Sequence, residues 1–160
     1  MKSSKNIVII DYQMSNMFSV INALNYLNFN CHISSNPKSI LSSDGAILPG
    51  VGSFPEAMNQ LRSLDLIETI LKFISSGKPF MGICLGFQML FSESSEFKNT
   101  KGLTVFEGKV LKFIDNKLTK KAPHVGWNSV NINNSLFGLN DYSNNFFQEN
   151  ENYYFVHSYY

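Results

Sequence analysis

A chain of 160 residues, 44% hydrophobic and 14% aromatic, holds enough apolar material for one domain with a real core. Its charged residues amount to 16% and its formal net charge is +1, which gives no electrostatic case for nucleic acid or an acidic membrane. The two cysteines, Cys31 and Cys84, stand in unlike contexts, so no disulfide framework is expected and a reducing, cytoplasmic setting is. The apolar run 7–10 is too short for a signal-peptide core and ends at Asp11. No stretch approaches transmembrane length.

Strand and helix alternate along the first half. Ile7-Val8-Ile9-Ile10 is a β-branched run suited to a strand buried on both faces. Met17, Val20, Ile21, Leu24 and Leu27 then share one helical stripe, with Ser15 or Asn16 as the cap. Short strands are predicted at 31–34 and at 44–48, the second stopped by Pro49-Gly50. A helix follows from Ala57 through Ile74, with a break at Asp65 and a C-terminal stop at Gly77. Residues 79–83 form the next strand, and the amphipathic stretch 87–91 continues as helix. This alternation means βαβ units and a parallel sheet. Beyond residue 100 the pattern changes to strands at 108–114, 127–132 and 153–157 without long helices between them, and 140–152 is the most loop-like stretch. No repeat or linker marks a second domain, so 1–160 reads as a single domain.

Within this frame Cys84 stands out. It sits in Gly82-Ile83-Cys84-Leu85-Gly86, at a strand-to-helix turn. Glycines two residues to either side let the backbone bend sharply and present a nucleophile, as in the G-x-S-x-G elbow with sulfur for oxygen. The N-terminus of the following helix favours the thiolate. The competing reading is a small buried cysteine whose glycines serve close packing. Sites in open parallel sheets form beyond the carboxyl ends of the strands. A second segment, Pro49-Gly50-Val51-Gly52, ends a strand there, and its backbone N–H groups suit an oxyanion hole. Its alternative is a turn whose glycines merely supply positive φ.

Six segments, in order, carry a family resemblance: Ile9-Ile10-Asp11-Tyr12, Leu48-Pro49-Gly50-Val51-Gly52-Ser53-Phe54, Gly77-Lys78-Pro79, Gly82-Ile83-Cys84-Leu85-Gly86-Phe87-Gln88, Pro123-His124-Val125-Gly126-Trp127-Asn128 and Tyr154-Phe155-Val156-His157-Ser158-Tyr159-Tyr160. From about residue 6 to the last, the chain resembles the glutaminase subunits of imidazole glycerol phosphate synthase, within the class I glutamine amidotransferases. The resemblance implies an α/β, flavodoxin-like fold: an open, mostly parallel sheet flanked by helices, with an antiparallel strand extension in the C-terminal third. It also implies that Cys84 attacks the side-chain amide of glutamine, forming a γ-glutamyl thioester and ammonia before water releases glutamate. Gly50, Val51, Gly52 and Leu85 would hold the oxyanion. Gln88 and Glu96 would bind glutamine, and His157, Ser158 and Tyr159 would line the same pocket. Trp127 and Asn128 would face a synthase subunit, in a heterodimer that receives the ammonia. Neither a cofactor nor a metal is implied, and no His, Cys, Asp or Glu set has metal-ligand spacing.

Two departures from the family pattern bear on this reading. Gln13 and Ser15 stand where the family usually has Gly, in a loop that faces the synthase. The family also supplies its base and orienting acid from a His-Pro-Glu segment a few tens of residues beyond His-Ser-Tyr. This chain has three histidines, His32, His124 and His157, and none is followed two positions on by Glu. On that ground the chain is expected to be incomplete, lacking the final strand and helix, and inactive alone. Without the family, His157 would be the candidate base. Three readings follow: a histidine-biosynthesis glutaminase; a paralogue supplying ammonia to a sugar amidotransferase of surface-polysaccharide synthesis; and a non-catalytic binding subunit.

Overall fold

The computed structural model of the chain describes residues 5–113, 122–130 and 151–160. Four strands, β1 (Asn6–Ile10), β2 (Asn30–Ser34), β3 (Gly45–Leu48) and β4 (Phe80–Gly82), form a sheet in the order β2-β1-β3-β4. All three pairings are parallel, with Ile9 opposite both Ile33 and Ile47, and Ile47 opposite Met81. Parallel neighbours need crossovers, which α1 (Met17–Tyr26), α2 (Pro37–Ser42), α3 (Phe54–Ser63) and α4 (Leu66–Ser75) provide. The chain leaves β1 on one side for β2 and returns on the other for β3. The strand order therefore reverses beside β1, where open sheets form their clefts.

Burial follows from covering both faces of this sheet. Val8, Ile9 and Ile10 are fully buried, as is every residue of β3. Ile9, Ile47 and Leu24 form one cluster, joined by Met17, Val20 and Ile21 from the predicted stripe of α1. Leu27 does not join it; the helix has ended there and the side chain is exposed. Asn16 takes the N-cap position but makes no side-chain capping bond. Helix α4 packs against both α2 and α3, and together they bury Ile40, Leu61, Ile70 and Phe73.

The predicted break at Asp65 is present: Asp65 has φ 52° and separates α3 from α4. Gly77, at φ 73°, ends α4 and donates its N–H to Ile74 O at 3.1 Å. Beside it, Lys78 Nζ donates to Leu41 O at 2.8 Å and Ser43 O at 2.9 Å, which places a cation at the end of α2. Helix α2 lies outside the sequence expectations, although Asn36 caps it through Lys38 N–H and Ser39 N–H ahead of Pro37.

The chain after Cys84 departs from expectation. Helix α5 is a single turn (Leu85–Gln88); of the stretch 87–91 expected to be helical, 87–88 is, and Phe91 opens β5 (Phe91–Ser94). Phe91 is edge-on to Phe87 and tilted against Phe106, and β5 pairs parallel with β7 (Phe106–Val110) and antiparallel with β6 (Thr100–Lys101). These strand contacts override the helical spacing of Phe87, Leu90 and Phe91. The strand predicted at 108–114 is β7, which starts at Phe106 and ends at Val110.

The described residues form two compact units, one up to Leu111 and one from Lys112. The second holds β8 (His124–Ser129) and β9 (Asn152–His157), an antiparallel pair with Trp127 opposite Tyr154. The predicted strand 127–132 thus begins earlier, at His124, and the Pro-x-x-Gly-Trp-Asn segment supplies most of it. Residues 131–132 and the loop-like 140–150 lie outside the described residues. Among the described residues no helix is long and apolar enough to cross a membrane.

Candidate active site

Three adjacent strands, β1, β3 and β4, end on the same side of the sheet, and the segments that leave them meet. Ile83 N–H donates to Leu48 O at 3.0 Å and ties the end of β4 to the end of β3. A Cβ built on Gly50 would lie 2.7 Å from Gly86 N and 2.9 Å from Leu85 Cβ. A Cβ on Gly86 would lie 1.8 Å from Leu48 O, and one on Gly82 would lie 2.6 Å from Phe87 Cα. Glycine is thus required at 50, 82 and 86 by backbone approaching backbone. The Pro49–Gly52 strap and the Cys84 elbow are in contact, a meeting that the topology made plausible and spacing could not prove.

The glycines serve packing, yet the cysteine does not follow them inside. Cys84 is exposed. Its backbone stands at φ 54°, ψ −117°, the conformation of the first central residue of a type II′ turn, which Gly usually occupies. It occupies the N-cap position of α5, and its carbonyl accepts from Phe87 N–H at 3.0 Å and Gln88 N–H at 3.1 Å. A non-glycine side chain held at such angles at the end of a parallel strand is where strain accompanies function. With one helical turn behind it, the dipole contribution is smaller than the longer helix would have given.

Leu85 is the first residue of α5, so its N–H lies outside the helix's own hydrogen-bond ladder. Val51 is different: its N–H donates to Met14 O at 3.1 Å, on the loop after β1. Gly52, at φ 94°, sits under Met14, whose Cε would be 3.0 Å from an added Cβ. In that same loop Gln13 is left-handed at φ 70°, and Asp11 Oδ1 accepts its N–H at 2.9 Å. The side chain at 13 therefore carries a cost on the order of 1–2 kcal/mol that Gly would avoid, whereas Ser15 is not at positive φ.

Gln88 is half-buried on α5. Glu96 is half-buried and accepts the Phe54 N–H at 2.7 Å, which puts its carboxylate at the N-terminus of α3. This is a tighter placement than a solvated acid.

Tyr12 follows β1 in the segment Ile9-Ile10-Asp11-Tyr12. It is fully buried, and its Oη has no hydrogen-bond partner among the described residues. Burial, and then the charge of Cys84, push its phenol well above the usual tyrosine range. A tyrosine two residues past a strand end was the only signal available in the sequence.

His157, Ser158 and Tyr159 belong to the second unit. His157 Nδ1 donates to Tyr159 O at 2.9 Å, which makes its Nε2 the acceptor from His124 Nδ1 at 3.1 Å. His124 Nε2 then accepts from the Asn128 amide at 2.6 Å. One directed chain of bonds thus runs from Asn128 to Tyr159, with His124, the first residue of β8, within it. Ser158 O accepts Phe113 N–H at 3.1 Å. Trp127 is 70% exposed and packs edge-on against Tyr154 at 5.5 Å between centroids. His32, in β2, contacts Ser39 Oγ at 2.9 Å and Asn6 Oδ1 at 3.2 Å. Among the described residues no three His, Cys, Asp or Glu side chains gather where a metal ion could be held.

Known proteins are similar in sequence and in fold. Residues 8–160 match the family described as glutamine amidotransferase class-I. The imidazole glycerol phosphate synthase subunit HisH of Methanosarcina acetivorans is 46% identical over 159 residues, 98% of this chain and 73% of that protein. Its counterpart in Bacillus cereus is 43% identical over 154 residues, 96% of this chain and 70% of that protein. Among solved structures, PurLQS from Thermotoga maritima superposes with a TM-score of 0.60 at 21% identity, over 99% of this chain and 68% of that one. A structure described as glutamine amidotransferase gives 0.61 at 16% identity, over 76% and 62% of the two chains. At those identities the structural matches speak for the fold alone. The sequence matches go further, and with the elbow, the strap and the parallel sheet they establish that the chain belongs to the class I glutamine amidotransferases, among the HisH subunits of imidazole glycerol phosphate synthase.

Proposed function

We propose that the chain is a cytoplasmic glutaminase subunit that hydrolyses glutamine at Cys84 and passes the ammonia to a synthase subunit making imidazole glycerol phosphate. The observation that carries this is the exposed Cys84 at a II′-like turn, where three strand ends converge. The thiolate attacks the side-chain amide carbon of glutamine, and the oxyanion takes bonds from Leu85 N–H and the 50–52 strap. The C–N bond breaks and nitrogen leaves as ammonia with one added proton. Water then opens the thioester, giving glutamate and the free thiol. Val51 N–H joins the oxyanion donors only after its bond to Met14 O is given up. Gln88 and Glu96 bind the substrate's polar groups. No general base is assigned among the three histidines, so the 160 residues alone are expected to release glutamate slowly or not at all.

A diazoketone analogue of glutamine tests the assignment. Cys84 should be alkylated in clear preference to Cys31, which lies half-buried in β2. Peptide mass spectrometry resolves the two sites, and equal labelling in folded protein would overturn the assignment.

For the synthase contact, Trp127 and Asn128 on β8 are proposed. An exposed Trp beside Tyr154 has the character of an interface anchor. With the cognate synthase, Trp127→Ala is expected to weaken the complex by roughly 30-fold or more, about 2 kcal/mol, in calorimetric titration. It should destabilise the free subunit by less than the roughly 3–5 kcal/mol of a buried Trp. Unfolding of the free variant would instead assign Trp127 to the protein's own core.

A further inference from the structure

Resting on the reading of Cys84 as the nucleophile, we infer that Tyr12 is a positioning residue for its thiolate, the phenol O–H being the donor that turns toward the sulfur when it ionises. Tyr12 leaves β1 one residue after Asp11 and is fully buried. Its Oη lies 2.6 Å from the point where a Gly50 Cβ would be, and that same point is 2.7 Å from Gly86 N and 2.9 Å from Leu85 Cβ. The phenol oxygen therefore sits at the junction of strap and elbow, immediately beside the residues that follow Cys84. A buried hydroxyl without a partner destabilises the folded state, and here nothing among the described residues offsets that.

The acidic side chains on the segments that follow β1, β3 and α5 are engaged elsewhere. Asp11 accepts Gln13 N–H, Glu56 accepts the Ser53 hydroxyl, Glu93 pairs with Lys109, and Glu96 accepts Phe54 N–H. Helix α5 carries no charged side chain. Two buried hydroxyls, Tyr12 Oη and Ser15 Oγ, have no acceptor among the described residues, and Tyr12 is the one that stands at the contact of strap and elbow. Burial keeps that phenol protonated, so it serves as a donor and not as a base, and Cys84 is the charge that it senses. A hydrogen bond to an anion is worth more than one to a neutral group. The unpaired hydroxyl of the resting thiol form thus gains its partner in the ionised form.

Alkylation by iodoacetamide as a function of pH, followed separately at Cys84 and Cys31, tests this in the full chain. Tyr12→Phe removes only the hydroxyl. The midpoint of the Cys84 profile should rise by about one pH unit or more, with the Cys31 profile unmoved as a monitor of the fold. Site-specific 3-fluorotyrosine at position 12, a stronger donor of nearly the same volume, should lower that midpoint. A Cys84 profile distinct from that of Cys31 but identical in wild type and both variants overturns the role of Tyr12 and leaves the nucleophile in place. Profiles for Cys84 and Cys31 that coincide in the wild type overturn both.

Discussion

Alanine at position 86 will destabilise the protein by about 2–4 kcal/mol and lower its melting temperature by roughly 4–16 °C. The added methyl carbon would stand 1.8 Å from Leu48 O, 2.7 Å from Leu48 C and 3.1 Å from Pro49 C, all of them backbone atoms. A side chain could rotate away, but β3 is held between β1 and β4 and cannot. The elbow must move off the sheet instead. That breaks the Ile83 N–H to Leu48 O bond and opens the contact between Gly50 and Gly86. Overpacking of about 1–3 kcal/mol or more adds to about 1 kcal/mol for the hydrogen bond. Gly77→Ala is the control: nothing lies within 4 Å, so only its φ of 73° is penalised, at about 1 kcal/mol. Equal thermal melts for the two variants would contradict the packing argument.

Where the protein hydrolyses glutamine in complex with its cognate synthase, replacing Cys84 by glycine is expected to abolish that activity, by roughly four or more orders of magnitude if a general base is in place. The same change should leave the fold intact or slightly firmer. At φ 54°, ψ −117° a side chain costs about 1–3 kcal/mol, and glycine recovers this less about 0.5–1 kcal/mol of added chain entropy. Cys84→Ala removes the sulfur but keeps the backbone penalty. The melting difference between the Gly and Ala variants therefore measures the strain at the elbow. If Ala is the more stable by the whole chain-entropy difference, about 0.5–1 kcal/mol, the elbow is unstrained.

Much of this was legible in the sequence because backbone chemistry announces itself. The β-branched run at 7–10, the apolar 45–48 and the break at Asp65 fell where expected, and so did the elbow glycines. What escaped was decided by tertiary contacts. The stretch from Phe87 to Phe91 has helical spacing, and only pairing with β7 turns its end into a strand. Asn36-Pro37 reads as a turn until Ile40 is seen to be buried, although the pair also marks a helix start. The strand expected from Trp127 begins three residues earlier, at His124, because His124, Val125 and Gly126 pair with β9. Two features of the candidate site had almost no local signature. The hydroxyl of Tyr12 is informative only because it is buried, and Val51 N–H only because Met14 O lies across from it.

The strand order β2-β1-β3-β4 also imposes a sequence of events in time. At about 5–20 residues per second on the ribosome, β4 emerges roughly 4–15 seconds after β1. The β1-α1-β2 unit and then β3 can dock before the elbow exists, leaving the outer edge of β3 uncovered. Unpaired strand edges invite wrong partners, and the last strand to arrive is the one that carries the nucleophile. Closing that edge and building the site are therefore a single step, so a nascent chain acquires a reactive elbow only when its parallel sheet has no aggregation-prone margin left at β3.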